Sequence, residues 1–331
     1  MIHLSFAPLE GLTDDVYRRA HAAEFGGADV YYTPFYTTVP EGLTARDRRE
    51  ISAALSAPGA PPTVVQLLSS RASDFLRAAA FLAGCGCTVL NLNLGCPSGT
   101  VTAKGRGAGF LAKPAMLDAF FDEVFSGLSG IAPQIQVSVK TRIGYADENE
   151  APYLMEIFNR YPIVELILHP RLRTDLYRGR PRMSVYRQMA GMARMPVCYN
   201  GDIFRAEDLQ DLLAAFPDTH RVMLGRGAAA NPALFRLCRA EPVPDLPGRL
   251  RRMHDRICEE NAARMGNGRN LLCRMAELWK YQAYLFSEDP RPFLRRLYRC
   301  TTLAEYRAAV SALFSQATLR KDAAYPPSPA L

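Results

Sequence analysis

Short apolar runs recur between Leu4 and Gly225, and a segment with apolar positions at helical spacing follows most of them. Strands buried on both faces have continuous apolar runs, and their regular alternation with helices is typical of a parallel sheet. Eight such units predict a (β/α)8 barrel. The predicted strands are Leu4–Ala7, Val30–Thr33, Thr63–Leu68, Val89–Asn93, Ile135–Thr141, Val164–His169, Val197–Asn200 and Val222–Gly225, and the clearest helices Asp14–Glu24, Ser73–Ala83, Met116–Gly127 and Ala206–Ala215.

A doubly wound open sheet is the alternative fold for this pattern. It would place a glycine-rich dinucleotide fingerprint after the first strand. The segment Ala7–Gly11 contains no such fingerprint, and the barrel is therefore favoured.

The pattern changes after residue 240. Residues 241–248 include three prolines, which interrupt a helix and predict a linker between a barrel domain (1–240) and a second domain. Beyond the linker, apolar residues repeat at helical spacing, so we predict a small all-helical domain over residues 249–316 and a flexible tail over 317–331.

Charge is distributed unevenly along the chain. The net charge is +7 and the pI about 9.0, and residues 241–331 contain 15 Lys and Arg against 10 Asp and Glu. This excess predicts a polyanionic partner, most simply a nucleic acid. The apolar runs are too short for a membrane span, and the first residues do not resemble a signal peptide, so we predict a cytoplasmic protein with no membrane association. The cysteines lack the spacing of metal ligands, so no metal is predicted.

Polar residues and glycines stand at the end of nearly every predicted strand. In a barrel of this type the active site lies at the C-terminal ends of the strands, so these residues form a candidate site. They are Pro8, Leu9 and Glu10, then Gln66, Asn93 with Cys96, Lys140 with Arg142, His169 with Arg171, the run Asn200, Gly201 and Asp202, and Gly225 with Arg226.

The most informative segment is Leu90–Ser98, followed by a glycine-rich run that ends at Gly109. A buried strand ends here and delivers an asparagine and Cys96 to a loop that the glycines are expected to make flexible. A lone cysteine could simply close a turn. Because polar residues also stand at the ends of the other strands, we interpret Cys96 as the candidate reactive group of a site.

The last two strand ends predict a phosphate site, since loops after the seventh and eighth strands of such barrels often bind one. A buried Lys140 needs an anionic partner, which a reduced flavin ring would provide, and Gln66 can both donate to and accept from the amide edge of that ring. FMN therefore fits better than NAD or FAD. The alternative for Lys140 is a salt bridge inside the barrel to Glu10 or Asp202.

Several segments together resemble the flavin-dependent tRNA-dihydrouridine synthases. The resemblance implies FMN bound by Pro8–Glu10, Gln66, Lys140, His169, Asn200–Asp202 and Gly225–Arg226, with Cys96 as proton donor and the helical domain as the RNA-recognition domain. Leu9, Pro170 and Leu172 depart from the residues common in that family. The segments are Ala7–Gly11, Val65–Leu67, Asn91–Ser98, Val139–Arg142, His169–Arg171, Asn200–Ile203 and Leu224–Ala228.

The implied reaction reduces a uridine to 5,6-dihydrouridine. NADPH or NADH reduces the flavin, whose N5 gives a hydride to C6 of the uracil, and Cys96 then protonates C5. An ordinary thiol is mostly protonated at neutral pH and can serve as this acid. For Asn93, the expected role is to bind the uracil or the edge of the flavin; the alternative is that it caps the end of its strand. For His169, the expected role is to contact the flavin phosphate or the RNA; the alternative is a structural role.

A uridine in folded RNA must be turned out of its stack to reach the barrel mouth, so RNA binding should depend on shape and phosphate contacts. Arg142 and Arg171 are assigned to this substrate. So is a stripe of four arginines, which leaves Leu294, Leu297 and Tyr298 to face the core. The stripe comprises Arg291, Arg295, Arg296 and Arg299.

Three other functions stay open at this point. The same reaction could act on ribosomal RNA, or a flavin barrel could act on a free pyrimidine as dihydroorotate dehydrogenases do. The third alternative is a non-catalytic RNA-binding protein. We expect a monomer that binds tRNA and NAD(P)H.

Overall fold

A computed structural model describes residues 2–316, 318–320 and 325 of the chain. Nine strands form one sheet in the order β2-β1-β9-β8-β7-β6-β5-β4-β3, and β2 also pairs with β4, which closes the sheet. This confirms the predicted (β/α)8 barrel. The strands are β1 (His3–Phe6), β2 (Val30–Tyr32), β3 (Tyr36–Thr37), β4 (Thr63–Leu68), β5 (Val89–Leu94), β6 (Gln136–Gly144), β7 (Ile163–Leu172), β8 (Val197–Tyr199) and β9 (Arg221–Leu224).

Each predicted strand overlaps an observed one, and β3 is an additional strand that no prediction covered. Its two residues are too few to give an apolar run in the sequence. They pair in parallel with the end of β4. The order of pairing from β4 to β8 follows the chain, as expected when each strand is joined to the next by a helix.

Fourteen α-helices lie in the described part of the chain. The four clearest helices that the sequence predicted are observed as α1, α3, α5 and α8. The fourteen helices are α1 (Asp15–Glu24), α2 (Ala45–Leu55), α3 (Ala72–Gly84), α4 (Gly99–Thr102), α5 (Pro114–Ile131), α6 (Glu150–Phe158), α7 (Met183–Met192), α8 (Ala206–Ala215), α9 (Arg226–Ala230), α10 (Leu234–Cys238), α11 (Leu246–Met265), α12 (Arg269–Gln282), α13 (Arg291–Arg299) and α14 (Leu303–Gln316).

The chain divides into two compact units. The first is built mainly from Tyr32–Gly201 with Thr219–Met223. The second contains Leu4–Tyr31, Asp202–Asp218 and the described residues from Leu224 onward, so it holds both β1–α1 and the C-terminal helices. Within the second unit, α11 begins at Leu246, inside the segment predicted as a linker; Pro247 fits there because the first helical turn does not need its N–H.

The C-terminal helices share a core that contains the chain's single tryptophan. The indole Nε1–H of Trp279 donates to the Tyr306 hydroxyl oxygen (2.8 Å), and that hydroxyl lies 2.7 Å from His254 Nε2. Burial lowers the pKa of His254, which keeps its ring neutral and able to accept from Tyr306. The predicted tail lies outside the described residues except for 318–320 and Tyr325, and Tyr325 is buried against Tyr281 and Tyr284, with ring centroids 5.2 Å away in each case.

No helix within the described residues is long and apolar enough to span a membrane.

Candidate active site

Cys96 lies on a tight turn directly after β5. The side-chain oxygen of Asn93 accepts hydrogen bonds from the backbone N–H groups of Gly95 (3.0 Å) and Cys96 (2.9 Å). Asparagine favours such turns because its side chain can reach the backbone two or three residues ahead. Asn93 therefore sets the backbone conformation that carries the thiol.

The glycine-rich run after Cys96 is folded rather than open. It forms α4 and a buried turn of 3-10 helix over Gly107–Phe110. The N–H of Ala108 donates to the carbonyl of Cys96 (3.0 Å), and Gly107 has a φ of 56° that favours glycine. A Cβ at Gly107 would lie 2.9 Å from the Cys96 carbonyl oxygen, so glycine is also needed for this close approach. The segment predicted as a flexible loop holds Cys96 by its backbone.

Gln66 and Asn93 lie in one row of buried polar side chains. Asn93 Nδ2 donates to Gln66 Oε1 (2.8 Å), Gln66 Nε2 donates to Asn91 Oδ1 (2.7 Å), and Asn91 Nδ2 donates to Ser138 Oγ (2.9 Å). Both ends of the Gln66 amide are thus engaged within the protein. Sequence reasoning missed Asn91 and Ser138 as site residues, although two asparagines in alternate positions of an apolar strand were a signal.

Lys140 lies on β6 beside Asn93 of β5, because the two residues are in register on neighbouring strands. Burial, and then the charge of Arg142, lowers the pKa of Lys140 to about 8. Its ammonium group makes no hydrogen bond or ion pair with the described residues. A cation in this state favours an anionic ligand, because burial of an unpaired charge is unfavourable.

Arg142 and Arg171 are buried, and both bind backbone carbonyls. The guanidinium of Arg142 donates to the carbonyls of Gly95 (2.9 Å) and Leu172 (2.7 Å) and lies over the Tyr177 ring. Arg171 donates to the carbonyls of Arg178 and Gly179. The two side chains, predicted to bind RNA, thus also fix the segment after β7 and, through Gly95, the Cys96 turn. Leu172 takes part only through its backbone, so its departure from the family residue leaves these bonds intact.

His169 is buried and contacts both Arg171 and the end of β8. Its Nδ1–H donates to the Asn200 carbonyl (2.6 Å), which leaves Nε2 to accept from Arg171 (3.5 Å). Burial and the nearby charge of Arg142 hold the pKa of His169 well below its usual value. The ring is therefore neutral and serves here as a hydrogen-bonding group rather than a cation.

Asn200 and Gly201 are the last predicted site residues of the first unit. Asn200 Nδ2 donates to the carbonyl of Met223 (2.8 Å), which joins the ends of β8 and β9. A Cβ at Gly201 would lie 2.7 Å from the Tyr199 hydroxyl, so a larger residue would displace that ring.

The second unit contains the other predicted cofactor residues. Asp202 forms an ion pair with Arg226 (2.7 Å), whose guanidinium also lies over the Phe204 ring. The loop with Pro8, Leu9 and Glu10 closes by a hydrogen bond from the Leu9 N–H to Thr13 (2.8 Å), and Arg274 of α12 binds its Gly11 carbonyl and Asp14. Burial raises the pKa of Glu10, and the charge of Arg274 opposes this. The helix α9 begins at Arg226 itself, next to Gly225.

A family model described as dihydrouridine synthase matches residues 5–311, nearly the whole chain. The chain belongs to the dihydrouridine synthase family. Two curated relatives are both named tRNA-dihydrouridine(16) synthase. The protein of Pseudomonas syringae pv. tomato is 28% identical and the match covers 71% of this chain and 74% of that protein; the protein of Cupriavidus necator is 30% identical, with 71% and 72% covered.

Solved structures similar to this chain show the same barrel at low sequence identity. Morphinone reductase has a TM-score of 0.51 at 13% identity, covering 72% of this chain and 86% of that one. 2-Naphthoyl-CoA reductase has a TM-score of 0.55 at 10% identity, covering 72% of this chain and 50% of that one. At these identities the likeness supports the fold alone.

The predicted arginine stripe lies on α13. Arg295, Arg296 and Arg299 are exposed and form no ion pair with described residues, whereas Arg291 is paired with Asp289 (2.6 Å). Leu294 and Leu297 are buried, as predicted.

The prediction that Tyr298 faces the core is wrong, because 57% of the residue is exposed. The buried residues of α13 are Leu294 and Leu297, with Phe293 half-buried beside them, and the helix ends at Arg299, before another turn could bury Tyr298. An aromatic ring therefore lies on the same exposed surface as the arginines.

Proposed function

We propose that the protein reduces a uridine of tRNA to 5,6-dihydrouridine, with FMN as its flavin and NADPH or NADH as reductant. Membership of the dihydrouridine synthase family carries this proposal. The relatives' names make position 16 of tRNA the first candidate target. The residues at the strand ends fit the chemistry that this reaction needs.

The flavin is supported first by Lys140. Its unpaired, partly desolvated ammonium group is suited to an anionic ring, which is what a reduced flavin becomes. When bound, the flavin supplies the hydride that reaches C6 of the uracil. Lys140, Asn93 and Gln66 would face its ring, with His169 nearby on β7. The resemblance to the family is what assigns Pro8, Leu9 and Glu10 to the flavin as well.

The phosphate of FMN is assigned to Asn200, Gly201, Asp202, Gly225 and Arg226. Gly225 and Arg226 directly follow β9, and the loop after the last strand of such barrels often binds a phosphate. Arg226 adds a positive charge, although it is shared with Asp202. A single phosphate is the group that this assignment accommodates, which favours FMN over FAD.

Cys96 is the proposed acid that protonates C5 of the uracil. Negative charge develops toward C5 as the hydride reaches C6, so a proton donor must stand beside C5. The turn that Asn93 fixes holds the thiol at the same strand edge as Lys140. These hydrogen bonds hold the backbone of Cys96, which supports its assignment as the acid.

The RNA is assigned to the exposed arginines of α13. Arg142 and Arg171 are buried, so the part of the substrate assigned to them is the uridine turned out into the barrel mouth rather than a phosphate. Phosphate contacts by arginine supply sequence-independent affinity, and an exposed ring such as Tyr298 can stack on a base. Cytoplasmic location and a monomeric state are part of the same proposal.

We expect the purified protein to be yellow and to contain one FMN per chain, because Lys140 is available to the ring and the loops after β8 and β9 are assigned to its phosphate. Denaturing extraction, followed by mass spectrometry of the chromophore, measures this. FAD in the extract would contradict the phosphate assignment. A colourless protein that binds no added FMN would favour a non-catalytic RNA-binding protein instead.

The reaction itself is tested with flavin-loaded protein, NADPH and tRNA that lacks dihydrouridine. Nucleoside mass spectrometry should detect dihydrouridine, and digestion with a specific ribonuclease should place it at position 16. Ribosomal RNA and free pyrimidines are offered in parallel reactions. Dihydrouridine only in ribosomal RNA, or turnover only of the free pyrimidine, would replace the proposed substrate.

A further inference from the structure

Four buried polar side chains connect the Cys96 turn with the interior of the sheet. The row runs from Asn93 through Gln66 and Asn91 to Ser138, and all four are at most 7% exposed. Strand register brings them together, since Gln66 is in register with Asn91 and Asn91 with Ser138. The proposed function uses Asn93 and Gln66 but leaves Asn91 and Ser138 without a role.

Backbone groups fix the two ends of this row. At one end, the N–H groups of Gly95 and Cys96 can only donate, so the Asn93 oxygen must face them. At the other end, the Ser138 hydroxyl donates to the Leu90 carbonyl over a long distance (3.4 Å), so the firm constraint on the row comes from the Gly95 and Cys96 end. The Ser138 oxygen is then the acceptor that Asn91 Nδ2 requires.

Only one polarity is therefore possible for the three amides. If the Asn91 amide turned over, its NH2 group would face that of Gln66. Gln66 would have to turn in response, and then Asn93, whose NH2 group would meet the backbone N–H groups of Gly95 and Cys96. A buried donor without an acceptor costs about 1–3 kcal/mol, so the observed orientation is strongly favoured.

We propose that Asn91 and Ser138 are positioning residues for the reaction: they fix the orientation of the Gln66 and Asn93 amides, and through Asn93 the turn that holds Cys96. This inference rests on the proposed function of Cys96 as the acid. The two residues act through Asn93 and do not touch the uracil.

The fixed polarity also determines what Asn93 can offer a ligand. An amide oxygen has two lone pairs, and both are used by Gly95 and Cys96. Of its two N–H donors, one binds Gln66 and one is left. Asn93 is therefore a donor toward the substrate, which suits a carbonyl oxygen of uracil.

Ser138→Ala tests the proposal, because it removes the acceptor at the end of the row and leaves Asn91 Nδ2 without a partner. Ser5→Ala is the matched control, since Ser5 is equally buried but its hydroxyl has no hydrogen-bond partner in the described chain. Asn91→Leu, of similar size, breaks the row one position nearer to Gln66 and serves as a second variant.

Two readouts separate positioning from general stability. The first is the rate at which iodoacetamide alkylates Cys96, followed by peptide mass spectrometry with Cys238 and Cys273 as references in the same sample. The second compares the rate of flavin reduction by NADPH with the single-turnover rate of uridine reduction. Loss of one hydrogen bond should raise Cys96 alkylation and slow uridine reduction by about five-fold each, with flavin reduction less affected than uridine reduction.

The proposal is overturned if Ser138→Ala and Asn91→Leu match Ser5→Ala in both readouts. It is also overturned if Cys96 and the reference cysteines become reactive together, since that indicates general loosening. Should the wild-type protein reduce no uridine, the proposed function fails, while the alkylation rates still decide whether the row holds the Cys96 turn.

Discussion

Cys96→Ala should lower the rate of dihydrouridine formation by about 10²–10⁴-fold, the usual contribution of a general acid. The variant should still bind the flavin and oxidise NADPH, because the residues assigned to the flavin do not include Cys96. The Asn93 bond to the backbone N–H at position 96 is preserved, since alanine keeps that N–H. Single-turnover reduction of tRNA by the pre-reduced enzyme, followed by nucleoside mass spectrometry, measures the effect.

Cys273→Ala is the matched control for this experiment. Cys273 is an exposed thiol on α12, so its loss removes a cysteine without altering the turn after β5. It should leave the rate unchanged. Near wild-type product formation by Cys96→Ala would refute the acid role and require another proton donor at the strand ends.

The barrel could be predicted from the sequence because each strand is marked by local composition. Leu90, Leu92 and Leu94 are fully buried, so β5 appears as an apolar run that a turn-forming segment ends. The same reasoning located Cys96, since a residue just after a barrel strand lies at the active-site end whatever the rest of the chain does.

The hydrogen-bond row could not be predicted in the same way. Gln66 and Asn91 are 25 residues apart, and their contact depends on the register of β4 against β5. Nothing local distinguishes an amide that binds a ligand from one that binds a neighbouring strand. Arg142 and Arg171 show the same limit, because their acceptors are backbone carbonyls that carry no sequence signal.

Tyr298 shows where periodicity is insufficient. Its spacing from Leu294 places it near the buried face, but a short helix buries only the part that its neighbours cover. The end of α13 at Arg299 leaves the ring in solvent. Whether Tyr298 is buried depends on the length of the helix and on its packing partners, and the spacing of apolar residues specifies neither.

Changing Arg295, Arg296 and Arg299 together to glutamine should weaken tRNA binding and flatten its dependence on salt. Each arginine that contacts a phosphate releases counterions, so each lost contact should lower the slope of log K against log salt by roughly one unit or slightly less. These three side chains are exposed and unpaired among the described residues, so they are available for such contacts. Binding isotherms at several salt concentrations give the slope.

Arg291→Gln is the matched control, because Arg291 is already neutralised by Asp289 and should change the slope less than any one of the other three. Leu294 stays unchanged in every variant, since its loss would unfold α13 and imitate the expected effect. Flavin content and flavin reduction by NADPH should equal those of the wild type, which separates RNA binding from the chemistry of the barrel. If the triple variant keeps the wild-type slope, the stripe is an ordinary solvated face, and the phosphates must be bound by other cations, with the segment after β7 as the next candidate.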